Sequence, residues 1–226
     1  MGKLYLVATP IGNLEDVSPR ALKVLQEAHM VACEDTRHTQ ILLRRYDVRA
    51  KHLTSYTEFN HRQKVRELVG QLDRGWDVAL VSDAGTPALS DPGEQLVRAA
   101  IGAGHEIVSI PGANAAVSAL VASGLPTREF TFVGFVPKKS GERRRMFQEL
   151  IAAGRTAVVY ESPYRVAGAV ADLAAVAPDA RVVLARELTK MHEEIVRGTA
   201  AELAARYAAE QVKGEVTIVF APATAG

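Results

Sequence analysis

The chain lacks the cysteine pairs, the metal-ligand spacings and the long apolar runs that build disulfides, metal sites and membrane spans. Cys33 is the single cysteine, which excludes an internal disulfide, and the six histidines lack zinc-ligand spacing, so we expect no metal. No apolar run reaches membrane-spanning length, and the amino terminus enters a strand without the regions of a signal peptide. We therefore expect a cytoplasmic protein with no membrane partner.

Several signatures of catalysis and binding are also missing. The net charge of +1 argues against a general electrostatic attraction to nucleic acid. The Walker A loop, the G-x-S-x-G elbow and the H-E-x-x-H helix do not occur in the sequence. Residues 102–104 (GAG) follow a predicted helix and precede a strand, so they are predicted to cap that helix. Cys33 is predicted to be a buried strand-end residue and not a nucleophile.

What is present is an α/β pattern. Helices are predicted to begin at Ser18 and Asp91, because a capping side chain there precedes a first-turn proline. The length of 226 residues suits two α/β domains, predicted as 1–112 and 113–226. Short β-branched runs alternate with amphipathic stretches, and the predicted strands are 4–8, 30–33, 78–81, 107–110, 130–135, 157–160, 182–185 and 216–220.

Two loops rich in small residues each follow a predicted strand directly. They are residues 82–93 (SDAGTPALSDPG) and 111–116 (PGANAA). Open α/β sheets place their ligand crevice at strand ends, and small residues let backbone groups approach a ligand closely. The two loops are therefore predicted to bind a ligand.

Basic residues are concentrated in two segments. Residues 138–145 (KKSGERRR) contain five basic residues and one acid, and a second group lies between residues 37 and 51. Each segment either binds an anionic partner or forms a solvated loop and helix face.

Six blocks in collinear order resemble one family. The blocks are 4–16 (LYLVATPIGNLED), 34–39 (EDTRHT), 82–93, 122–127 (ASGLPT), 161–165 (ESPYR) and 185–190 (ARELTK). Together they resemble the ribosomal RNA branch of the tetrapyrrole methylase (class III methyltransferase) superfamily, over essentially the whole chain. The resemblance implies two α/β domains with the cofactor cleft between them, and a homodimer. It also implies an S-adenosylmethionine-dependent 2′-O-ribose methyltransferase that acts on a cytidine in the decoding centre of 16S ribosomal RNA, within the 30S subunit.

The sequence departs from the family pattern in three places. Pro-Gly-Pro-Ser becomes residues 111–114 (PGAN), and Glu-Ser-Pro-His-Arg becomes residues 161–165 (ESPYR). Contacts at Asn114 and Tyr164 are therefore not carried over from the family. Many relatives also continue, beyond the position of Gly226, into a small helical segment.

S-adenosylmethionine needs backbone donors and acceptors for its adenine and a few polar side chains for its charged groups. Asp83 can accept from the ammonium or the ribose; the alternative is that Asp83 and Ser90 only organise turns through local backbone bonds. The residues predicted to bind the cofactor are Thr9, Pro10, Gly12, Asp83, Ala84, Gly85, Thr86, Pro87, Ser90, Pro111, Gly112, Tyr160, Glu161 and Thr189.

Methyl transfer also needs a group that orients or deprotonates the accepting hydroxyl. The candidates are Glu34, Asp35, Glu187 and Lys190, of which the lysine requires a lowered pKa to act as a base. An ion-pair network that joins Glu34 and Glu187 to Arg37 and Arg186 explains these residues equally well.

Contacts to RNA phosphates are predicted on the two basic segments. Residues 143–145 are expected on the exposed first turn of a helix. Two other functions stay open: methylation of a tetrapyrrole or corrin precursor, and non-catalytic nucleotide or RNA binding. The residues predicted to bind RNA are Arg37, Arg44, Arg45, Lys138, Lys139, Arg143, Arg144 and Arg145.

Overall fold

The structure is a computed structural model that describes residues 1–223. The chain divides into two compact units, Met1–Asn114 (unit 1) and Ala115–Gly226 (unit 2). None of the helices in the described range has the length and apolar character needed to span a bilayer. In the same range, no group of three or more His, Cys, Asp or Glu side chains is arranged to hold a metal ion.

Unit 1 is a doubly wound α/β fold. Its five strands are all parallel, in the order β3-β2-β4-β1-β5. The strands are Lys3–Val7 (β1), Met30–Cys33 (β2), Leu53–Ser55 (β3), Val78–Leu80 (β4) and Glu106–Ile110 (β5). The helices are Pro19–Glu27 (α1), Thr36–Arg45 (α2), His61–Asp73 (α3) and Glu94–Gly102 (α4).

Helices cover both faces of this sheet. Because successive strand residues point to opposite faces, the strands are apolar on both sides. Val31 and Ala79 pack with α1 and α2, whereas Ala32 and Val78 pack with α3 and α4. Cys33 is fully buried at the end of β2, as predicted for a strand-end residue, and burial raises the pKa of its thiol. The predicted α/β fold class is confirmed for this unit.

Unit 2 contains a mixed sheet in the order β6-β7-β10-β8-β9, in which only β6 and β7 run parallel. Its strands are Phe130–Phe135 (β6), Thr156–Glu161 (β7), Arg181–Arg186 (β8), Glu194–Thr199 (β9) and Val216–Ala221 (β10). Its helices are Ala115–Ser123 (α5), Ser140–Ala152 (α6), Val166–Val176 (α7) and Ala200–Tyr207 (α8). α6, α7 and α8 cover one face and α5 covers the other, around separate apolar clusters.

Of the two predicted helix starts, the one at Ser18 is confirmed and the one at Asp91 is wrong. The Ser18 side chain accepts from the Ala21 amide (3.1 Å) and caps α1, as predicted. The predicted start at Asp91 is wrong: α4 begins at Glu94, and its N-cap is Gly93 with φ +151°. Residues 91–93 instead form a turn that carries the Asp91 side chain toward Ser82. The predicted cap at residues 102–104 is confirmed, with Gly104 at φ +81°.

Candidate functional site

The carboxyl ends of the parallel strands in unit 1 bring the predicted ligand loops together. The amide of Thr9, after β1, donates to the Gly85 carbonyl (2.9 Å), and the Gly85 amide donates back to Thr9 (3.0 Å). The Thr9 hydroxyl donates to the carbonyl of Ser82 (3.1 Å). The loops after β1 and β4 therefore form one rigid assembly, as expected at the carboxyl edge of a parallel sheet.

The loop after β5 packs against the same assembly. A Cβ atom at Gly112 would lie 3.0 Å from the Ala8 Cβ, so only glycine fits there without displacement. The Thr86 hydroxyl reaches the carbonyl of Ala113 (3.4 Å), and the Asn114 amide nitrogen donates to the Thr86 hydroxyl (3.2 Å). Asn114, one of the departures from the family pattern, thus connects two of the predicted cofactor loops.

Asp83 links the loops after β2 and β4. Its Oδ1 accepts from the Asp35 amide (2.9 Å), which gives Asp83 the organising role that the sequence had left open beside ligand binding. Asp35 in turn caps α2 and pairs with Arg37 (2.7 Å). Of the remaining predicted cofactor residues in these loops, Pro10 and Pro87 are buried. The others, Gly12, Ala84, Ser90 and Pro111, are exposed.

The segment from residue 85 to residue 93 has an unusual backbone. Gly85 has φ +85°, and the non-glycine residues Ala88 and Ser90 have φ +66° and +62°. A Cβ at Gly93 would lie 2.9 Å from both the Ala88 Cβ and a Leu80 methyl group. Left-handed backbone at residues with side chains is costly and is concentrated at functional sites.

A pocket of about 410 Å³ opens beside this segment, within unit 1. On one side it is lined by the chain that follows β3, and on the other by the turn before α4. Its lining residues are Tyr56, Glu58, His61, Ala88, Ser90, Asp91, Pro92, Gly93, Glu94 and Gln95.

Carboxylates with raised pKa values gather at this edge. Burial raises the pKa of Asp91 to about 6, and the nearby charges of Glu34 and Asp83 add to the rise. Burial likewise raises the pKa of Glu34, with contributions from Asp83 and Glu58. Desolvation and like charges both disfavour ionisation, so these groups hold protons at higher pH than an exposed acid.

The other candidates for a base are held in ion pairs. The Arg37 side chain lowers the pKa of Asp35 to about 2. In unit 2, Lys190 pairs with Glu187 (2.8 Å) and Glu215 (2.9 Å). Burial alone would lower the pKa of Lys190, but these two bonds raise it above its usual value, which is opposite to what a lysine base requires. The bond from Lys190 lowers the pKa of Glu187.

The alternative hypothesis, an ion-pair network that joins Glu34 and Glu187 to Arg37 and Arg186, is wrong. Arg186 pairs with Glu194 (3.2 Å), and Arg37 pairs with Asp35. The partner of Arg37 is thus two residues away in sequence, and the partner of Arg186 lies opposite it on the neighbouring strand β9. Neither ion pair includes Glu34 or Glu187, the two glutamates that the network was expected to hold.

The remaining predicted cofactor residues lie in unit 2. Tyr160, on β7, makes edge contacts with Phe132 and Phe135. The Glu161 side chain is completely buried, accepts from the Ser162 amide (2.6 Å) and pairs with Arg165 (2.6 Å), so it braces the turn after β7. Burial outweighs these bonds and raises the pKa of Glu161.

Thr189 and Tyr164 have contrasting positions in unit 2. Thr189 lies in the loop after β8 with φ +67°, and its amide donates to a carboxylate oxygen of Glu193 (2.5 Å). Tyr164, the other departure from the family pattern, is almost fully exposed.

The predicted RNA-binding arginines divide into exposed and buried groups. Arg44 and Arg45 are exposed in the last turn of α2, and Arg37 is exposed at its start. The prediction that residues 143–145 lie on an exposed helical turn is wrong for Arg143, which is buried and pairs with Asp172. This partner is 29 residues away in sequence, on α7, and attracts Arg143 inward.

The neighbours of Arg143 stay at the surface. Arg144 also reaches Asp172 (2.6 Å) but keeps half of its side chain exposed, and Arg145 pairs with Glu149 (3.2 Å) on the surface of α6. Lys138 and Lys139 are exposed at the start of this helix. Arg144, Arg145 and the two lysines thus remain on a surface that an RNA backbone can reach.

The sequence did not indicate Asp91 as a candidate reactive group, because Asp91 and Pro92 together were predicted to begin a helix. It also did not indicate the pocket lining from Tyr56 to His61, since the short strand β3 before it was not predicted. The available signal was the pair of Ser-Asp sequences in the loop, Ser82-Asp83 and Ser90-Asp91, of which Asp83 but not Asp91 was predicted to contact a ligand.

Comparison with known proteins defines the family. The sequence model of the Tetrapyrrole (Corrin/Porphyrin) Methylases matches residues 3–204. A protein named Ribosomal RNA small subunit methyltransferase I from Halalkalibacterium halodurans is 48% identical over 219 residues, which cover 96% of this chain and 75% of that protein. A protein of the same name from Neisseria meningitidis serogroup B is 46% identical over 224 residues, which cover 98% of this chain and 77% of that protein.

Solved structures agree on the fold. Uroporphyrin-III-C-methyltransferase from Thermus thermophilus superposes with a TM-score of 0.66 at 22% identity, over 99% of this chain and 96% of that one. Diphthine synthase superposes with a TM-score of 0.77 at 15% identity, over 100% of this chain and 92% of that one. The chain therefore belongs to the tetrapyrrole methylase family, within the group of the ribosomal RNA small subunit methyltransferases I.

Proposed function

We propose that this protein uses S-adenosylmethionine to methylate RNA of the small ribosomal subunit, at the 2′-hydroxyl of a cytidine in the decoding centre of 16S ribosomal RNA. The observation that carries the proposal is that nearly half of the positions, over 96% of the chain, are identical to those of a relative named Ribosomal RNA small subunit methyltransferase I. The same relationship leads us to propose a homodimer that acts on the assembled 30S subunit in the cytoplasm.

The carboxyl edge of unit 1 is suited to the cofactor. Gly85 and Gly112 let the loops after β4, β1 and β5 pack closely, since a Cβ would lie 3.3 Å from Ile11 at the first and 3.0 Å from Ala8 at the second. The Thr86 hydroxyl and the Asp83 carboxylate lie in the same loops. Bound S-adenosylmethionine supplies a methyl group that its sulfonium already activates. The protein therefore has to orient the cofactor, bring the ribose oxygen in line with the methyl carbon and accept a proton.

The surface of the protein offers anchors for RNA. Arg44 and Arg45 on α2 and Arg145 on α6 are exposed, and each can contact a phosphate. Phe59, between the pocket residues Glu58 and His61, is fully exposed. An exposed ring beside a pocket is suited to stack against an unpaired base, which is how proteins usually read single-stranded RNA.

The test is methyl transfer from labelled S-adenosylmethionine to 30S particles from a strain that lacks the modification. Mass spectrometry of the digested RNA should place one methyl group on a ribose in the decoding centre. Transfer to a tetrapyrrole precursor in a parallel reaction, without transfer to RNA, would favour the alternative enzyme. Calorimetry that detects no binding of S-adenosylmethionine or its demethylated product by folded protein would exclude both enzymes.

A further inference from the structure

Asp91 has surroundings that distinguish it from most carboxylates of the chain. It lines the 410 Å³ pocket at the carboxyl edge of the unit 1 sheet, with Ser90 on one side and Glu94 on the other. Across the pocket stand Tyr56, Glu58 and His61. Within residues 1–223, no lysine or arginine forms an ion pair with Asp91, although most of the other partly buried carboxylates have a cationic partner.

The groups that act on Asp91 are therefore acids and a hydroxyl. Glu34, after β2, and Asp83, after β4, place negative charge near it, whereas the nearby Ser82 hydroxyl, which donates to the carbonyls of Ala84 (3.3 Å) and Gly85 (3.2 Å), acts to lower its pKa. Burial and these charges outweigh the hydroxyl and raise the pKa of Asp91 to about 6. Such a carboxylate is ionised at neutral pH and has more affinity for a proton than an exposed one.

The backbone fixes Asp91 in this position. Ser90, just before it, has φ +62°, and Gly93, two residues later, is so closely packed that a Cβ would lie 2.9 Å from Leu80. Ala88, at φ +66°, packs against the same glycine. A side chain held by such a turn loses little conformational freedom when a ligand binds.

We propose that this pocket receives the nucleoside that is methylated and that Asp91 is the general base for its hydroxyl. The proposal rests on the proposed function. The hydroxyl oxygen attacks the methyl carbon of the sulfonium and forms the new C–O bond. The C–S bond breaks, and its electron pair stays on sulfur, which becomes a neutral thioether. The hydroxyl proton passes to the Asp91 carboxylate and from there to solvent.

This assignment agrees with the state of the other acids and bases. Asp35, Glu187 and Lys190 each form ion pairs that stabilise their charged forms. Glu34 shares the edge with Asp91 but does not line the pocket. Its charge raises the proton affinity of Asp91, which makes Glu34 a positioning and tuning residue.

The first test compares the parent, Asp91→Asn and the matched control Asp179→Asn, an exposed aspartate in unit 2. Single-turnover methylation of 30S particles should slow by about 100- to 10,000-fold in Asp91→Asn, as for loss of a general base. The Kd for S-adenosylmethionine and the KM for 30S should stay within about threefold of the parent. Asp179→Asn should match the parent in every measurement.

The second test uses the pH dependence of the rate. The parent rate should rise with pH around pH 6, the pKa of Asp91, and level off above it. Glu34→Gln removes a neighbouring negative charge and should move this rise to lower pH. Asp91→Asn should remove the rise from the residual activity.

Several outcomes would overturn the assignment. Asp91→Asn with more than a tenth of the parent rate, or with an unchanged rise in rate, would exclude Asp91 as the base. Loss of S-adenosylmethionine binding in Asp91→Asn would place the residue in the cofactor site or the fold instead, and an unshifted rise in Glu34→Gln would exclude the coupling. Failure of the parent to methylate 30S would refute the proposed function itself, which is a different result from an active parent with an active Asp91→Asn variant.

Discussion

Asp91 in unit 1 and Asp172 in unit 2 are two carboxylates withdrawn from water with opposite surroundings. Asp91 lines a pocket, and burial together with the nearby charges of Glu34 and Asp83 raises its pKa to about 6. Asp172 is 3% exposed and receives hydrogen bonds from Ser140 (2.8 Å), Arg143 and Arg144. Burial alone would raise the pKa of Asp172, but these three donors outweigh it and lower that pKa.

The effect of burying a carboxylate thus depends on whether a cationic partner is buried with it. A buried acid with arginine partners stabilises the fold, and removing either partner leaves an uncompensated charge. A partly buried acid without a cationic partner destabilises the folded state when it is ionised, and protonation removes that cost. The same Asp→Asn substitution should therefore have opposite effects on the stability of the two units.

The largest expected effect belongs to Asp172→Asn. The substitution leaves the Arg143 guanidinium buried without its counter-charge, which should cost about 3–5 kcal/mol of unfolding free energy. Urea denaturation at pH 8 measures it. Glu149→Gln, which frees only the exposed Arg145, is the matched control and should change stability by about 1 kcal/mol or less. A loss below about 1 kcal/mol in Asp172→Asn would contradict the structural role of this pair.

The next largest effect concerns Asp83, which differs from both aspartates by bonding a neighbouring amide. Asp83→Ala should weaken S-adenosylmethionine binding about tenfold to hundredfold, through loss of a charge-assisted hydrogen bond of about 1.5–3 kcal/mol. Asp83→Asn keeps an oxygen for the Asp35 amide and removes only the charge. Isothermal calorimetry separates the two roles, because parent-like affinity in Asp83→Asn would mean that Asp83 only organises the loops.

A smaller effect, on RNA binding, is expected for Arg144, which pairs with Asp172 although its side chain is 52% exposed. Together with Arg145, it can contact two phosphates. Arg144→Ala with Arg145→Ala should make the log–log salt dependence of RNA binding shallower by about 1.4, at about 0.7 for each contact. Arg20→Ala with Lys23→Ala, on the exposed side of α1, is the charge-matched control. An equal salt slope in both pairs would remove α6 from the RNA site and leave the basic segment between residues 37 and 51, with Arg37, Arg44 and Arg45, as the candidate.

The smallest predicted effect is stabilisation by Asp91→Asn. The folded-state pKa of Asp91 lies above that of an unfolded aspartate, so the folded protein binds the proton more tightly. Stability should therefore fall as pH rises from about 4 to about 6, and the neutral amide avoids this loss. Differential scanning calorimetry should show Tm raised by about 2–4 °C at pH 8 and little changed at pH 4. A lower Tm at pH 8 would show that the Asp91 charge is satisfied.

Much of the fold follows from the sequence, because strands buried on both faces form short apolar runs that periodicity detects. The two strands that were missed, Leu53–Ser55 and Glu194–Thr199, lie at sheet edges and are only partly buried. Edge strands bury less apolar surface, so their sequences carry a weaker pattern.

The candidate site was predictable in its loops and not in its charges. Glycine and proline mark residues 82–93 locally, whereas the raised pKa of Asp91 depends on burial and on the charge of Glu34, 57 residues away in sequence. The buried state of Arg143 depends in the same way on Asp172, on another helix. Local rules therefore predicted an exposed Arg143 and a capping Asp91, and distant partners decided otherwise.

The reciprocal pair of hydrogen bonds between Thr9 and Gly85 has a consequence for how the protein is made. β1 precedes the other strands of the unit 1 sheet in sequence, yet its neighbours in the sheet are β4 and β5, which end at Leu80 and Ile110. At a synthesis rate of about 5–20 residues per second, β1 waits roughly 5 to 20 seconds before both neighbours exist. The loop that carries Thr9 thus acquires its shape only late in the emergence of the first unit from the ribosome, and contacts of such long sequence separation form slowly.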